Sequence, residues 1–185
     1  MILDDILAFN QKFVENEEYK PFETNNIPNK KMVILTCMDT RLQELLPKAM
    51  NIHNGDVKML RNAGAIIPDP FDSIMRGILV AIYELQAEKV LIIGHRDCGM
   101  SHMDTDRFIQ TMKDKGVKEE TIQSLEHAGI HLHDAFLGFD DVEKAVSHSV
   151  SIVRNHPLLP SYVTVDGLVI DPNTGKLDLV TTKGE

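Results

Sequence analysis

Apolar residues recur along this chain with two different spacings, one typical of helices and one typical of buried strands. Over the first 15 residues they recur every three or four positions, which predicts an amphipathic helix. Residues 19–31 contain two prolines and several Asn and Thr residues, which indicate an irregular arm. Helical spacing returns over residues 72–86, 105–115, 118–127 and 141–155. The chain therefore has an N-terminal helix and arm followed by a body with further helices.

Short runs of branched apolar residues lie between these helices and predict strands. Such runs are residues 32–36, 57–60 and 89–94, and residues 167–171 and 177–180 flank a Pro-Asn-Thr-Gly turn that predicts a terminal hairpin. Thr40 and Gln43 have the spacing of a capping box and predict a helix start at Thr40. Strands that alternate with helices predict an α/β fold with a mainly parallel central sheet flanked by helices. We expect one domain over residues 1–185, with residues 1–31 as its helix and arm.

Composition and charge exclude several classes of protein. Hydrophobic residues make up 43% of the 185 positions and charged residues 25%, which is typical of a globular protein. The net charge of −9 repels phosphate backbones and predicts no nucleic-acid partner. The longest apolar run, residues 78–83, has six residues, far below the roughly 20 that span a bilayer. We expect a cytoplasmic protein without a membrane partner.

Two cysteines are too few for a disulfide scaffold, and both follow predicted strands. Ligands of open α/β sheets bind at the carboxyl ends of strands, so Cys37 and Cys98 are expected to converge. His95 lies three positions before Cys98, close enough in a tight turn to bind the same ion. Two thiolates and one imidazole favour zinc, and three protein ligands leave a fourth position open, as in catalytic sites. The alternative is that both cysteines are buried apolar fillers.

Asp39 and Arg41 alternate with Cys37, so in an extended segment the three side chains share one side. A carboxylate and a guanidinium would then pair beside the metal. Other thiol chemistries fit less well. Gln43 stands where a phosphatase loop has its Arg, and the chain has no Cys-x-x-Cys motif and no glycine-rich nucleotide loop.

Three segments carry a resemblance to a known family. They are Cys37-Met38-Asp39-Thr40-Arg41, Arg61-Asn62-Ala63-Gly64 and Gly94-His95-Arg96-Asp97-Cys98-Gly99. In this order and spacing they resemble the β-class carbonic anhydrases, and in particular the compact bacterial and archaeal branch. The resemblance implies a zinc lyase that converts carbon dioxide reversibly to bicarbonate and a proton.

The resemblance also implies roles for individual residues. Cys37, His95 and Cys98 would bind one Zn²⁺ per chain, a zinc-bound hydroxide would attack carbon dioxide, and Asp39, held by Arg41, would orient it. Whether Asp39 is itself a zinc ligand in the resting state is left open. Four residues are candidates for the substrate pocket, although a plain turn explains Gly64 equally well: Asn62, Ala63, Gly64 and Gly99.

Several alternatives follow from the same sequence. Zinc lyases that act on sulfur analogues of carbon dioxide keep a similar site, and an anion-binding zinc protein or a redox thiol protein would also use these cysteines. His102 is a candidate proton carrier, whereas His127, His131 and His133 are expected on a solvated surface. The N-terminal stripe either packs on its own domain or forms a homodimer or higher homo-oligomer, as it does in the resembling family; its residues are Leu3, Ile6, Leu7 and Phe13.

Overall fold

A computed structural model describes residues 2–180, and a five-stranded sheet forms its centre. The strands are β1 (Met32–Cys37), β2 (Val57–Asn62), β3 (Lys89–His95), β4 (Thr164–Ile170) and β5 (Leu177–Val180). They lie in the order β2-β1-β3-β4-β5; β1 to β4 are parallel, and β5 pairs with β4 in the antiparallel sense. The predicted α/β class and the terminal hairpin are confirmed. Residue 1 and residues 181–185 of the predicted domain lie outside the described part.

Seven α-helices accompany the sheet in the described part of the chain. They are α1 (Ile2–Glu15), α2 (Leu42–Ala49), α3 (Ser73–Tyr83), α4 (Thr105–Asp114), α5 (Glu119–His127), α6 (Leu132–Ala135) and α7 (Val142–Arg154). Three of them begin at an Asp whose carboxylate accepts a backbone N–H of the first turn, namely Asp72, Asp104 and Asp141. The four-residue α6 has too little length for a periodic pattern, so the sequence did not predict it. None of these helices is long and apolar enough to cross a membrane.

The predicted start of α2 at Thr40 is wrong. The helix begins at Leu42, Arg41 occupies the position before it, and no side chain caps the end. Asp39 shapes the turn instead, because its carboxylate accepts the Arg41 backbone N–H at 2.8 Å and its carbonyl accepts that of Leu42 at 3.1 Å. Asp39, one residue before Thr40, therefore takes the place of Thr40 as the side-chain acceptor, and the predicted capping box does not form. The two hydrogen bonds of Asp39 fix the path of the chain directly after β1.

Helix α7 packs against β3 and β4 where these strands contain glycine. A Cβ atom at Gly94 would lie 2.7 Å from methyl groups of Val142 and Val146, and one at Gly167 would lie 2.7 Å from Val146. The missing side chains therefore let the helix approach the sheet closely. Val146 and Val150 are buried as a result, and this packing holds the end of β3 that carries the candidate ligand His95.

Helix α1 differs, because none of its residues is buried. Six of its apolar side chains are 52–79% exposed, namely Ile2, Leu3, Ile6, Leu7, Phe9 and Val14. The arm that follows contains a short 3-10 helix, Lys20–Phe22, whose Phe22 ring lies 6.5 Å from that of Phe13. The N-terminal helix itself is thus confirmed; within the described residues Phe13 of its apolar stripe is half-buried, whereas Leu3, Ile6 and Leu7 are exposed.

Candidate metal centre

The three predicted metal ligands meet at one edge of the sheet. Cys37 ends β1 and His95 ends β3, and these neighbouring strands are parallel, so their carboxyl ends lie together. Cys98 follows in the turn after β3. A ligand atom of each residue lies within 4.8 Å of the other two, and the two Sγ atoms are 3.9 Å apart. All three side chains are buried, so the fold brings the whole predicted set together.

The orientation of His95 leaves one ring nitrogen available for a ligand. Its Nδ1 lies 2.8 Å from the carbonyl oxygen of Arg96. Because a carbonyl can only accept, Nδ1 carries the hydrogen and Nε2 carries a lone pair. Nε2 is buried and has no hydrogen-bond partner in the described structure. A buried nitrogen beside two thiols suits a borderline-soft cation such as zinc, so the residues present fit this metal.

The two thiols share their protons unequally. The hydrogen bond with Cys98 lowers the pKa of Cys37, although burial opposes this change. The same contact, together with burial, raises the pKa of Cys98. These opposite shifts favour loss of one proton from the pair before the other. A cation that binds both sulfur atoms has to displace the remaining proton, so metal binding at this site is coupled to proton release.

Asp39 and Arg41 form the ion pair that their alternation predicts. Arg41 donates from Nε to Asp39 Oδ1 at 3.0 Å and from Nη2 to Oδ2 at 2.8 Å. This contact lowers the pKa of Asp39 to about 2. The Asp39 Oδ2 atom lies 3.7 Å from His95 Nε2, so the carboxylate borders the candidate metal site without contacting the imidazole closely.

Arg41 has a second partner that the sequence did not indicate. Its Nη1 donates to Asp97 Oδ2 and its Nη2 donates to the Asp97 carbonyl, both at 2.8 Å. Asp97 adopts a φ of 52°, a left-handed conformation that Asp tolerates better than most residues. Arg41 thereby connects the turn after β1 with the turn after β3. The only signal in the sequence was the position of Asp97 between two ligands.

The candidate pocket residues lie beside the two cysteines. Gly64 belongs to a 3-10 helix, Ala63–Ala65, and its backbone N–H donates to Cys37 Sγ at 3.4 Å. The Asn62 side chain donates to the Ile66 carbonyl at 2.7 Å and closes this turn. Gly99 follows Cys98 and has no atom within 4 Å of where a Cβ would be. Contact of Asn62, Ala63, Gly64 and Gly99 with a substrate stays a prediction.

The four other histidines named above lie on the surface. His102 is exposed, and its Nδ1 lies 3.4 Å from a carboxylate oxygen of Asp140. His131 and His133 are also exposed and face Glu126 and Asp106, respectively. The expected surface position of His127, His131 and His133 is confirmed. A proton-carrying role for His102 stays a prediction.

Comparisons with known proteins agree on one family. A sequence model of the family described as carbonic anhydrase matches residues 32–177. The Bacillus subtilis protein named "Putative carbonic anhydrase YtiB" is 52% identical over 179 residues, which cover 97% of this chain and 96% of that protein. Carbon disulfide hydrolase of Acidithiobacillus thiooxidans is 32% identical over 157 residues, or 80% of this chain and 76% of that protein.

A solved structure gives the same result for the fold. The β-carbonic anhydrase isoform I of Trichomonas vaginalis superposes with a TM-score of 0.84 and 33% sequence identity. The superposition covers 97% of this chain and 97% of that chain. The arrangement of strands and helices described above is therefore shared along almost the entire length.

Proposed function

The chain belongs to the β class of the carbonic anhydrase family, and from this membership we propose that it is a zinc lyase that hydrates carbon dioxide reversibly to bicarbonate and a proton. One observation supports this proposal most strongly. Cys37, His95 and Cys98 are buried with their ligand atoms within 4.8 Å of one another. Three protein ligands leave a fourth coordination position free for catalysis.

In this proposal, Cys37, His95 and Cys98 hold one Zn²⁺ per chain. When bound, zinc lowers the pKa of water and so supplies hydroxide near neutral pH. The Arg96 carbonyl keeps the hydrogen of His95 on Nδ1, so Nε2 is the ligand atom. The burial of all three side chains limits the access of bulk water to the ligands.

Asp39 and Arg41 orient the attacking hydroxyl group in this proposal. The Asp39 carboxylate accepts a hydrogen bond from the attacking hydroxyl group and directs an oxygen lone pair toward the substrate carbon. Arg41 keeps this carboxylate ionised and turned away from the thiols. We place carbon dioxide near Asn62, Ala63, Gly64 and Gly99, because most of these residues are small and all lie next to Cys37 or Cys98.

Stopped-flow hydration of carbon dioxide, combined with elemental analysis, tests the proposal. We expect one zinc per chain, rapid hydration, and loss of activity on chelation that added zinc reverses. A zinc-replete protein that does not exceed the uncatalysed rate would instead be an anion-binding zinc protein. Absence of zinc with two titratable thiols would indicate a redox thiol protein.

Carbon disulfide is a second candidate substrate, because a carbon disulfide hydrolase is 32% identical to this chain. Its hydrolysis releases hydrogen sulfide, which is measured directly. We expect hydration of carbon dioxide to be the faster reaction by kcat/KM. A larger kcat/KM for carbon disulfide would reassign the substrate without changing the metal site.

We also propose that a second copy of the chain covers the apolar stripe of α1 in a cytoplasmic homodimer. The stripe is exposed, and a patch of this kind on a monomer favours association. Leu7→Asp should shift the protein toward monomer in sedimentation, whereas Leu137→Asp, at another exposed leucine, should not. An unchanged dimer in Leu7→Asp would place the interface elsewhere. Cytoplasmic location follows from the need to keep both thiols reduced.

A further inference from the structure

The segment Arg61–Gly64 bonds to Cys37 and its neighbour at three places. Strand β2 lies beside β1, with Asn62 in register with Cys37. Arg61 Nη1 donates to the Cys37 carbonyl at 3.2 Å, and the Gly64 N–H donates to the Cys37 Sγ at 3.4 Å. The Met38 N–H donates to the Asn62 carbonyl at 2.9 Å. One short segment therefore holds both the backbone and the sulfur of Cys37.

The contact to sulfur depends on glycine at position 64. Gly64 has a φ of 86°, a conformation that a side chain disfavours. A Cβ atom there would lie 3.2 Å from the Met100 side chain and from the Phe139 ring. The Asn62 amide closes the turn through the Ile66 carbonyl. Backbone conformation and packing together aim the Gly64 N–H at the thiolate.

Arg61 brings a positive charge to the backbone of Cys37. Its side chain is half-buried, and within residues 2–180 no carboxylate forms an ion pair with it. The hydrogen bond from Arg61 Nη1 to the Cys37 carbonyl therefore places the charge of the guanidinium beside the backbone of Cys37.

We propose that Arg61 and Gly64 are positioning residues that orient Cys37 and set the electron-donor strength of its thiolate. This inference rests on the proposed function, because it takes Cys37 as a metal ligand. A hydrogen bond to a thiolate withdraws electron density from sulfur, and partners of metal ligands commonly change metal affinity 10-fold to 100-fold when removed. The Arg61–Gly64 motif would then act on the ligand itself, in addition to any part it has in the pocket.

Cobalt(II) substitution tests this inference, because thiolate-to-cobalt charge-transfer absorption reports directly on the sulfur donor. In Gly64→Ala we expect this band to move to lower energy and zinc affinity to fall about 10-fold or more. Arg61→Met should produce the same changes to a smaller extent, and Arg61→Lys should restore part of them because it keeps the charge.

Two residues outside the Arg61–Gly64 segment provide controls. Gly175 has a φ of 76°, and a Cβ there would lie 3.2 Å from Leu45, so Gly175→Ala has a similar local cost against α2 and not against Cys37. Arg154 donates to the Val165 carbonyl and lies 3.7 Å from Asp166, so Arg154→Met removes a contact between arginine and backbone together with an ion pair. Both controls should lose thermal stability without any change in the cobalt band or in zinc affinity.

The outcomes separate this inference from the proposed function. Wild-type protein that binds cobalt without a thiolate band would overturn the ligand assignment and the inference with it. A different result would overturn the inference alone. In that case the wild-type protein shows the band and hydrates carbon dioxide, but Arg61→Met and Gly64→Ala have the same band energy and zinc affinity as the wild type. If Gly64→Ala does not fold, the comparison of Arg61→Met with Arg61→Lys decides.

Discussion

The candidate ligands and the neighbouring ion pairs lie side by side but differ in exposure. Cys37, His95 and Cys98 are at most 6% exposed. In the adjacent group, the side chains of Asp39, Arg41 and Asp97 are 18%, 38% and 81% exposed, respectively. The ligands are thus held by the packed ends of strands, whereas the ion pairs are held mainly by one another in a partly solvated setting.

This difference in exposure indicates that the two groups have different roles within one site. Buried ligands keep a geometry that the loss of a single member disrupts, because the remaining polar atoms stay buried without partners. Exposed ion pairs contribute little to folding, so the Asp39–Arg41–Asp97 group can be altered without loss of structure. We therefore expect changes in the ligands to affect metal content, and changes in the ion pairs to affect activity at constant metal content.

The largest expected effect is that of Cys98→Ser. This change removes a thiolate from a buried set of three, so we expect the protein to lose most of its zinc and all measurable hydration activity. Elemental analysis after gel filtration measures the metal. Ser101→Ala, three positions further along, serves as the control and should keep one zinc per chain. Full zinc content in Cys98→Ser would show that the ligand assignment is wrong.

Arg41→Ala should separate metal content from activity. Without Arg41, the Asp39 carboxylate is free to turn toward the ligands and occupy the fourth coordination position. We expect full zinc content with hydration reduced about 100-fold, and Asp39 bound directly to zinc in a crystal structure.

Two further variants test the origin of this loss. Asp39→Asn should keep the fourth position open but also hydrate slowly, because the amide orients the attacking group poorly. Arg96→Ala is the control, since Arg96 also faces two carboxylates, Glu143 and Asp178, on the outer surface. Near-wild-type activity in zinc-replete Arg41→Ala would show that the pair is only structural.

The sequence predicted the convergence of Cys37, His95 and Cys98 better than it predicted their surroundings. Cys37 and His95 end apolar strands of a parallel sheet, and topology alone brings such strand ends together. Asp97 was missed as a partner of Arg41 because 56 positions separate the two residues and no periodic pattern connects them. Asp97 lies in a turn and has a positive φ. The spacing of hydrophobic residues does not predict such a backbone conformation.

Helices show the same limit. The apolar spacing of α1 and α7 predicted both elements, but only α7 buries its stripe, against Gly94 and Gly167. Spacing indicates that a helix has an apolar face and says nothing about what covers that face. Similarly, the capping box at Thr40 failed because Asp39 accepts the backbone N–H of Arg41 first.

Acid stability should reveal the ion pair in the absence of metal. Arg41 lowers the pKa of Asp39 to about 2, below the value near 3.9 expected in the unfolded chain. The pair therefore stabilises the fold fully above about pH 4, and this contribution is lost as the pH falls toward 2.

Urea unfolding of chelator-treated, reduced protein measures this contribution. The difference in unfolding free energy between wild type and Arg41→Ala should be constant from pH 5 to 7 and should shrink below pH 4. A difference that changes between pH 5 and 7 would assign the titration to another group. Arg96→Ala, treated in the same way, controls for the loss of an exposed guanidinium.

The smallest expected effect is that of Asp97→Asn. Asparagine tolerates the φ of 52°, and the bond from Arg41 to the carbonyl of residue 97 involves only the backbone, so this variant removes just the charged side-chain contact. Because that contact is largely exposed, we expect kcat/KM to fall only about twofold, with zinc content unchanged. Asp106→Asn, at the exposed carboxylate near His133, should have no effect. A loss as large as that in Arg41→Ala would mean that Asp97, and not Asp39, fixes the position of the guanidinium. Asp97 would then not belong to the exposed ion pairs that can be altered with little effect, in contrast to the buried ligands.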